Sequence, residues 1–330
     1  MKKRKSLLES NVLYTVIAII IGFVIGAIFL AAAGISPAEA YGKLFNGVFG
    51  KPKFMIWTLV YAAPLIFTGL SVAFSLRTGV FNIGAEGQFV VGAMAACACG
   101  IMLKLPPVIH AIVCVVVAAV AGFIWSYLVG LLKVKRGIHE VLSFIMFNWI
   151  AFYLSNFLVN TVALHKEGSG EATKNVLDSA RLLFPEGILK ALDCTGANWG
   201  FILAVVAAVA MWIIIEKTTL GYKLKAVGFN KDAAIFGGIN ANKSILTALG
   251  ISGALAGIGG AVQVLGMSGR ISQFAGQEGY GFQGITVALI AGSNPLGCTI
   301  SLVSQVAKAL RSYRSITGSN PVPGICCSLI

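Results

Sequence analysis

The chain has 330 residues, of which 57% are hydrophobic and only 11% charged, and its formal net charge is +13. A soluble domain usually carries about 25% charged residues, so this composition excludes an ordinary soluble protein and makes a bilayer the natural solvent. No basic patch interleaved with aromatic residues occurs, so the positive charge reads as membrane topology and excludes a nucleic-acid partner.

Apolar runs with few or no charges occupy 11–33, 54–76, 87–103, 105–132, 141–164, 197–215, 244–269 and 279–307. A bilayer core takes roughly 20 helical residues, and backbone groups in lipid must be satisfied within their own segment. The alternating pattern of a barrel strand is absent. The expected fold is therefore an all-α polytopic membrane protein with about eight visible transmembrane helices. The first run follows MKKRKSLLES and outlasts the roughly 7–15 residues of a secretory signal core, so it reads as an uncleaved span. The clusters KKRK at 2–5 and KVKR at 133–136 fall on the same side of the alternating spans. The positive-inside rule then puts the N-terminus in the cytoplasm.

Between the second and third runs stands RTGVFNIGAEGQFVVGA, residues 77–93. A carboxylate facing lipid costs at least ~2.5–3.5 kcal/mol, so Glu86 must face protein or water. If the third helix begins near Thr78, Asn82 and Glu86 share one face at i, i+4. The glycines permit close helix contact or a break in a helix, and a break is tolerable only against protein or a cavity. Residues 79–88 are expected to form a polar, tightly packed element beside a translocation path. Candidate path residues are Asn82, Glu86 and Gln88, with Asn148, Gln263 and Gln283 from other spans, since neutral amides suit an uncharged polar solute. Two bland roles compete with this: Glu86 pairs with Arg77 or caps a helix, and the amides join helices to one another.

Two loops follow. Residues 161–199 form a long mixed connector whose KNVLDSARLLF portion, 174–184, is expected to make a short amphipathic helix; it is either a solvated link or a docking surface for a soluble partner. Residues 217–243 read KTTLGYKLKAVGFNKDAAIFGGINANK. Gly228 is expected to break the chain. Asn230 then caps a short helix with Asp232 in its positive first turn, and Gly237–Gly238 ends it. Ala233, Ala234, Ile235 and Phe236 would give that helix a compact apolar surface for a partner's groove. The seven cysteines include no C-x-x-C pair, and His139-Glu140 lacks a second zincin histidine, so no metal site, disulfide framework or catalytic set is expected.

Four of these stretches resemble one family in order along the chain. TGLSVAFSLRTGVFNIGAEGQFVVGA, GIHEVLSFIMFNWIAFYL, LGYKLKAVGFNKDAAIFGGI, and ISGALAGIGGAVQVLG with GYGFQGITVALIAGSNPLG are similar to ABC-importer permeases of the branched-chain amino-acid, ribose and nucleoside group. The nucleoside and simple-sugar branch is the nearest. One departure is His139, where the family pattern has asparagine. The resemblance covers about residue 11 to Gly297 and implies about ten helices. It implies a permease domain at 1–297 that moves nucleosides, guanosine among them, or simple sugars into the cytoplasm across a bacterial cytoplasmic membrane. It carries the coupling role onto Gly228, Asn230, Ala233, Ala234 and Gly238. The implied partners are a cytoplasmic ABC ATPase, a second permease subunit and an extracytoplasmic substrate-binding lipoprotein. ATP and Mg²⁺ would be used by the ATPase, with no cofactor and no enzymatic activity in this chain. Residues 298–307 could complete the last run, but 298–330 lack the further apolar helices the resemblance implies and read as an atypical tail, from truncation, a change of reading frame or a naturally short end. The competing class, an ion-coupled secondary transporter or channel, usually carries intramembrane charge relays, whereas the spans here hold almost no charge besides Glu86.

Overall fold

The computed structural model describes residues 11–49, 52–166, 168, 171–191 and 194–299. The tail expected at 298–330 therefore lies almost wholly outside the described residues. Within them the regular structure is helical: α1 (Asn11–Ala32), α2 (Pro37–Phe49), α3 (Pro52–Leu76), α4 (Ala85–Met102), α5 (Pro107–Arg136), α6 (Glu140–Val159), α7 (Glu186–Ala191), α8 (Gly200–Lys217), α9 (Thr219–Phe229), α10 (Lys231–Phe236), α11 (Ala241–Gln263) and α12 (Tyr280–Ile290). A five-residue π-helical turn, Val264–Ser268, extends α11. Six helices are long and apolar enough to cross a membrane: α3, α4, α5, α6, α8 and α11 with its π turn. The first apolar run gives α1, which is bent by 118° against α2, so the pair makes a seventh candidate span. The eighth run becomes the shorter apolar helix α12. The protein is a polytopic α-helical membrane bundle.

Its interior is built on α3, α4 and α11, whose apolar windows are mostly buried, while α5, α6 and α8 turn most of theirs outward. In lipid there is no hydrophobic gain from joining helices, so association relies on close packing of small residues. The α11 segment GISGALAGIGG supplies them. A Cβ on Gly253 would lie 2.3 Å from the Gly122 carbonyl oxygen of α5, and one on Gly92 of α4 would lie 2.3 Å from the Gly257 Cα. These three backbones meet directly, and only glycine permits it.

Three local expectations are corrected. The third helix starts at Ala85 and not near Thr78, so Asn82 belongs to a connection, 77–84, and does not share a helix face with Glu86. Gly228 does not break the chain: α9 runs through it to Phe229. Residues 174–184 make no amphipathic helix. They form a single 3₁₀ turn, Asp178–Ala180, because their backbone is engaged elsewhere. The amides of Val176, Leu177 and Leu182 donate to the carbonyls of Gly269, Gly100 and Leu265. The long connector is thus laid across one end of the bundle, beside the π turn. The α9–α10 pair lies at the other end.

Candidate translocation site

The 77–84 connection is held by side chains from four helices. The Asn82 amide nitrogen donates to Ser252 Oγ of α11 at 2.7 Å and to Gln88 Oε1 at 2.9 Å. Gln88 Nε2 donates back to Asn82 Oδ1 at 3.0 Å. Ser71 and Ser252 hydroxyls lie 3.0 Å apart, and Ser252 also reaches the Ser71 carbonyl at 2.7 Å. Asn82, Gln88, Ser71 and Ser252 are all fully buried. From α6, Asn148 donates to the Ile83 carbonyl at 3.1 Å and accepts from the Gly87 amide at 2.9 Å. Buried amides are tolerable only when satisfied, and here Asn82, Gln88 and Asn148 are enclosed by protein and spent on joining helices.

Glu86 has a different partner from Arg77. Its Oε1 accepts from the Gly279 amide at 2.7 Å and its Oε2 from the Gly281 amide at 2.6 Å. Those amides open α12, whose N-cap, Gly279, sits at φ +85°. The carboxylate of one helix therefore caps the N-terminus of another, where unpaired donors and the helix dipole favour negative charge. The approach is close: a Cβ on Gly281 would lie 2.1 Å from the Glu86 nitrogen. Thr68 Oγ1 donates to the Tyr280 carbonyl at 3.0 Å. Thr68 is eight residues before the end of α3, so α12 starts about 12 Å inside the bundle at 1.5 Å per residue. From there α12 runs back toward Ser293, whose carbonyl accepts from Arg77 Nε at 3.0 Å. The connection and the first turn of α4 thus grip both ends of α12.

The stretch from Gly269 to Gly279 enters the bundle without regular structure. Such backbone survives at depth only where protein satisfies it or a cavity adjoins it, and both conditions hold. Asn156 of α6 accepts from the Phe274 amide and donates to its carbonyl, at 2.9 and 3.0 Å. The Ile271 amide donates to Thr173 Oγ1 at 3.1 Å, and the Gln273 amide to the Glu171 carbonyl at 2.7 Å. The other side of the stretch lines a cavity of about 830 Å³, within the range of small-molecule sites. Its rim includes the exposed Asn175, Arg270 and Gln273. Deeper down it meets Gln263, the π turn, Glu278 and the rings of Tyr61, Phe89 and Tyr280. Phe89 and Tyr280 stack at 4.8 Å between centroids. Gln263 is the one candidate path residue on this wall. Gln283 is half-buried on α12, beyond the lining. Asn156, Thr173, Arg181, Glu278 and the three rings carry no signal in the sequence beyond ordinary polarity or aromaticity; the fold brings them together.

At the opposite end, Asn230 Oδ1 accepts from the Ala233 amide at 2.9 Å and caps α10, which Gly237 closes, with Gly238 at φ +79°. Ala234 turns inward against Val80, Val227 and Ile245. Phe229 and Phe236 stand out, 90% and 95% exposed. Gly228 packs on the 77–84 connection: a Cβ there would lie 2.4 Å from the Arg77 carbonyl oxygen and 3.1 Å from the Gly79 nitrogen. Beside this end, His139 Nδ1 accepts from the Val141 amide at 3.3 Å and caps α6. An asparagine would make the same kind of cap, which gives the departure at this position a physical reading. Among the described residues the five cysteines are free and buried, and no group of three metal-ligating side chains occurs.

A helical bundle of six or seven candidate spans, with a cavity toward one end and an exposed apolar helix pair at the other, is a multi-pass membrane protein. The chain belongs to the branched-chain amino acid transport system / permease component family, whose pattern matches residues 54–320. It is 39% identical to the guanosine ABC transporter permease protein NupP of Bacillus subtilis, over 88% of this chain and 83% of that one. It is 35% identical to the nucleoside ABC transporter permease protein NupB of Lactococcus lactis, over 87% and 80%. The glucose ABC transporter permease protein TsgB13 of Haloferax volcanii is 29% identical over 87% and 76%. No solved structure matches the chain.

Proposed function

We propose that this chain is the permease subunit of an ATP-driven importer that carries nucleosides into the cytoplasm of a bacterium. The two relatives with the highest identity above are permeases of guanosine and nucleoside transporters. In this reading the N-terminus and α9–α10 face the cytoplasm, and the cavity rim faces outward, where a substrate-binding lipoprotein delivers its cargo. A second permease subunit completes the pathway. An ABC ATPase binds ATP and Mg²⁺ and receives Phe229 and Phe236 in a groove, a helix-in-groove contact. Gly228, Asn230, Ala233, Ala234 and Gly238 shape that contact: Asn230 and Gly238 fix the ends of α10, the two alanines let it lie flat, and Gly228 seats it on the connection behind.

The observation that carries the proposal is the backbone contact of Gly228 with Arg77 and Gly79. It joins the exposed apolar turn to the connection that grips α12 under the cavity, so a push at one end has a solid path to the other. The test is ATP-dependent guanosine uptake by the complete transporter in proteoliposomes. Phe236→Asp, at a side chain 95% exposed, is expected to lose most uptake and to weaken ATPase co-purification while the protein still reaches the membrane. Uptake that follows an ion gradient and ignores ATP would establish the secondary-transporter reading instead.

A further inference from the structure

A second hollow lies on the flank of the bundle and shares no lining residue with the cavity. It is an apolar groove of about 390 Å³ between α4 and α6. The two helices touch at Gly87, where a Cβ would lie 2.8 Å from Asn148 Oδ1. Beyond that contact Val91, Ala95, Ala98 and Met102 make one stripe of α4 at i, i+4, i+7 and i+11, and Ala151 and Leu158 face them from α6. The three alanines are too short to fill the space, so a slot stays open. From Val91 to Met102 it follows α4 for about 16 Å at 1.5 Å per residue, half of a hydrocarbon core about 30 Å thick. The slot therefore spans one leaflet. Ile150 and Phe157 beside it on α6 are exposed, so it opens sideways toward lipid. At its far end the long connector closes it with Ala163 and Leu164. Both of their carbonyls are held by Lys174: its Nζ donates to Ala163 at 3.2 Å and its backbone N–H to Leu164 at 2.7 Å. An exposed ammonium is thus fixed at the mouth of an apolar slot, and Lys104, two residues past Met102, is exposed at the same end.

We propose that this groove is a binding site for one anionic phospholipid, with an acyl chain laid between α4 and α6 and its phosphate on Lys174. An unfilled slot forfeits the dispersion contacts of every atom that lines it, and a single chain of one leaflet has the length to restore them. Apolar fit alone selects nothing, because lipid tails surround the whole bundle. The choice lies at the mouth. An ammonium has three N–H donors, and the bond to Ala163 takes one. The remainder suit a phosphate oxygen, with the attraction of opposite charge added. Phosphatidylethanolamine sets its own ammonium beside its phosphate, which Lys174 repels, whereas phosphatidylglycerol brings net negative charge. A helix from another subunit is about 10–12 Å across, too wide for a slot between two helices that already touch. The bound chain then acts as packing between α4 and α6, the helices that carry Gln88 and Asn148 to the 77–84 connection. The site does not depend on which solute the protein carries.

The test reconstitutes the protein, with the subunits that purify with it, in phosphatidylcholine vesicles. Trace phosphatidylglycerol or phosphatidylethanolamine carrying a diazirine in one acyl chain is added, and the photolabelled peptides are mapped. Phosphatidylglycerol is expected to mark 91–102 and 151–164 about fivefold more than phosphatidylethanolamine does, the effect of one lysine near an anionic head group. Lys174→Gln, at an exposed side chain, should remove that preference and leave the phosphatidylethanolamine label unchanged. Ala98→Leu, which fills the slot, should remove the label from both segments for both lipids. Equal marking of these segments by the two lipids in wild type, or an unchanged preference in Lys174→Gln, overturns the site even where Ala98→Leu fails to fold. So does a cross-link from Ala98→Cys, in a background without other cysteines, to a second subunit.

Discussion

Glu86 is the residue on which the sequence posed its sharpest question. Its carboxylate spends both oxygens on the amides of Gly279 and Gly281. Hydrogen bonds to a charged group contribute about 1.5–3 kcal/mol each, so this cap does much to keep α12 in place. Glu86→Gln keeps one acceptor and turns an amide against the second N–H. It should lower stability by about 1.5–3 kcal/mol, read as a lower melting temperature in detergent, and Glu86→Ala should cost more. A glutamine variant as stable as wild type would mean that the cap carries little of the stability. The sequence showed that Glu86 had to be sheltered, because charge within an apolar stretch has few acceptable surroundings. It did not show the partner, which lies 193 and 195 residues away. The same holds for Asn82: its polarity was legible, but its pairing with Gln88 and Ser252 depends on α4 beginning only at Ala85.

Among the elements, α11 is the one whose packing follows most directly from its residue types. Gly253 and Gly257 set it directly against α5 and α4. A side chain there meets backbone atoms that cannot yield, so Gly257→Val should force the helices apart by more than a methyl group. Overpacking of this kind typically costs 1–3 kcal/mol or more. The expected result is loss of folded protein from the membrane fraction, with Gly22→Val, at a position with nothing within 4 Å, as the tolerant control. Retention of normal yield by Gly257→Val would contradict the packing described for the three helices. Helix positions were readable because 20-residue apolar runs permit little else in a bilayer. The 269–279 stretch was not, because polarity between two apolar runs looks the same for a surface loop and for a chain that dips inward. Asn156, Thr173 and Glu86 decide between them by supplying its hydrogen bonds.

For the whole molecule, the proposed orientation places α10 in the cytoplasm and Gln273 outside. A membrane-impermeant maleimide should label Phe236→Cys only from the cytoplasmic side, and Gln273→Cys only from outside, in a background where native cysteines are replaced by serine or alanine. Reversed labelling would invert the direction of transport assigned here. The fold class was within reach of the apolar runs, and the sides of the two long loops were within reach of the basic clusters; the link between the two ends was not, since the 77–84 connection makes it only once the chain is folded.

That connection has a mechanical meaning. With the first turn of α4 it holds α12 by two pins, Arg77 on Ser293 and Glu86 on Gly279 and Gly281, so α12 is tied at both ends. In the transport cycle proposed above, any tilt of α12 would have to be taken up in the chain between Gly269 and Gly279, both at positive φ. For the importer proposed above, stiffening that stretch should spare ATP hydrolysis and stop transport.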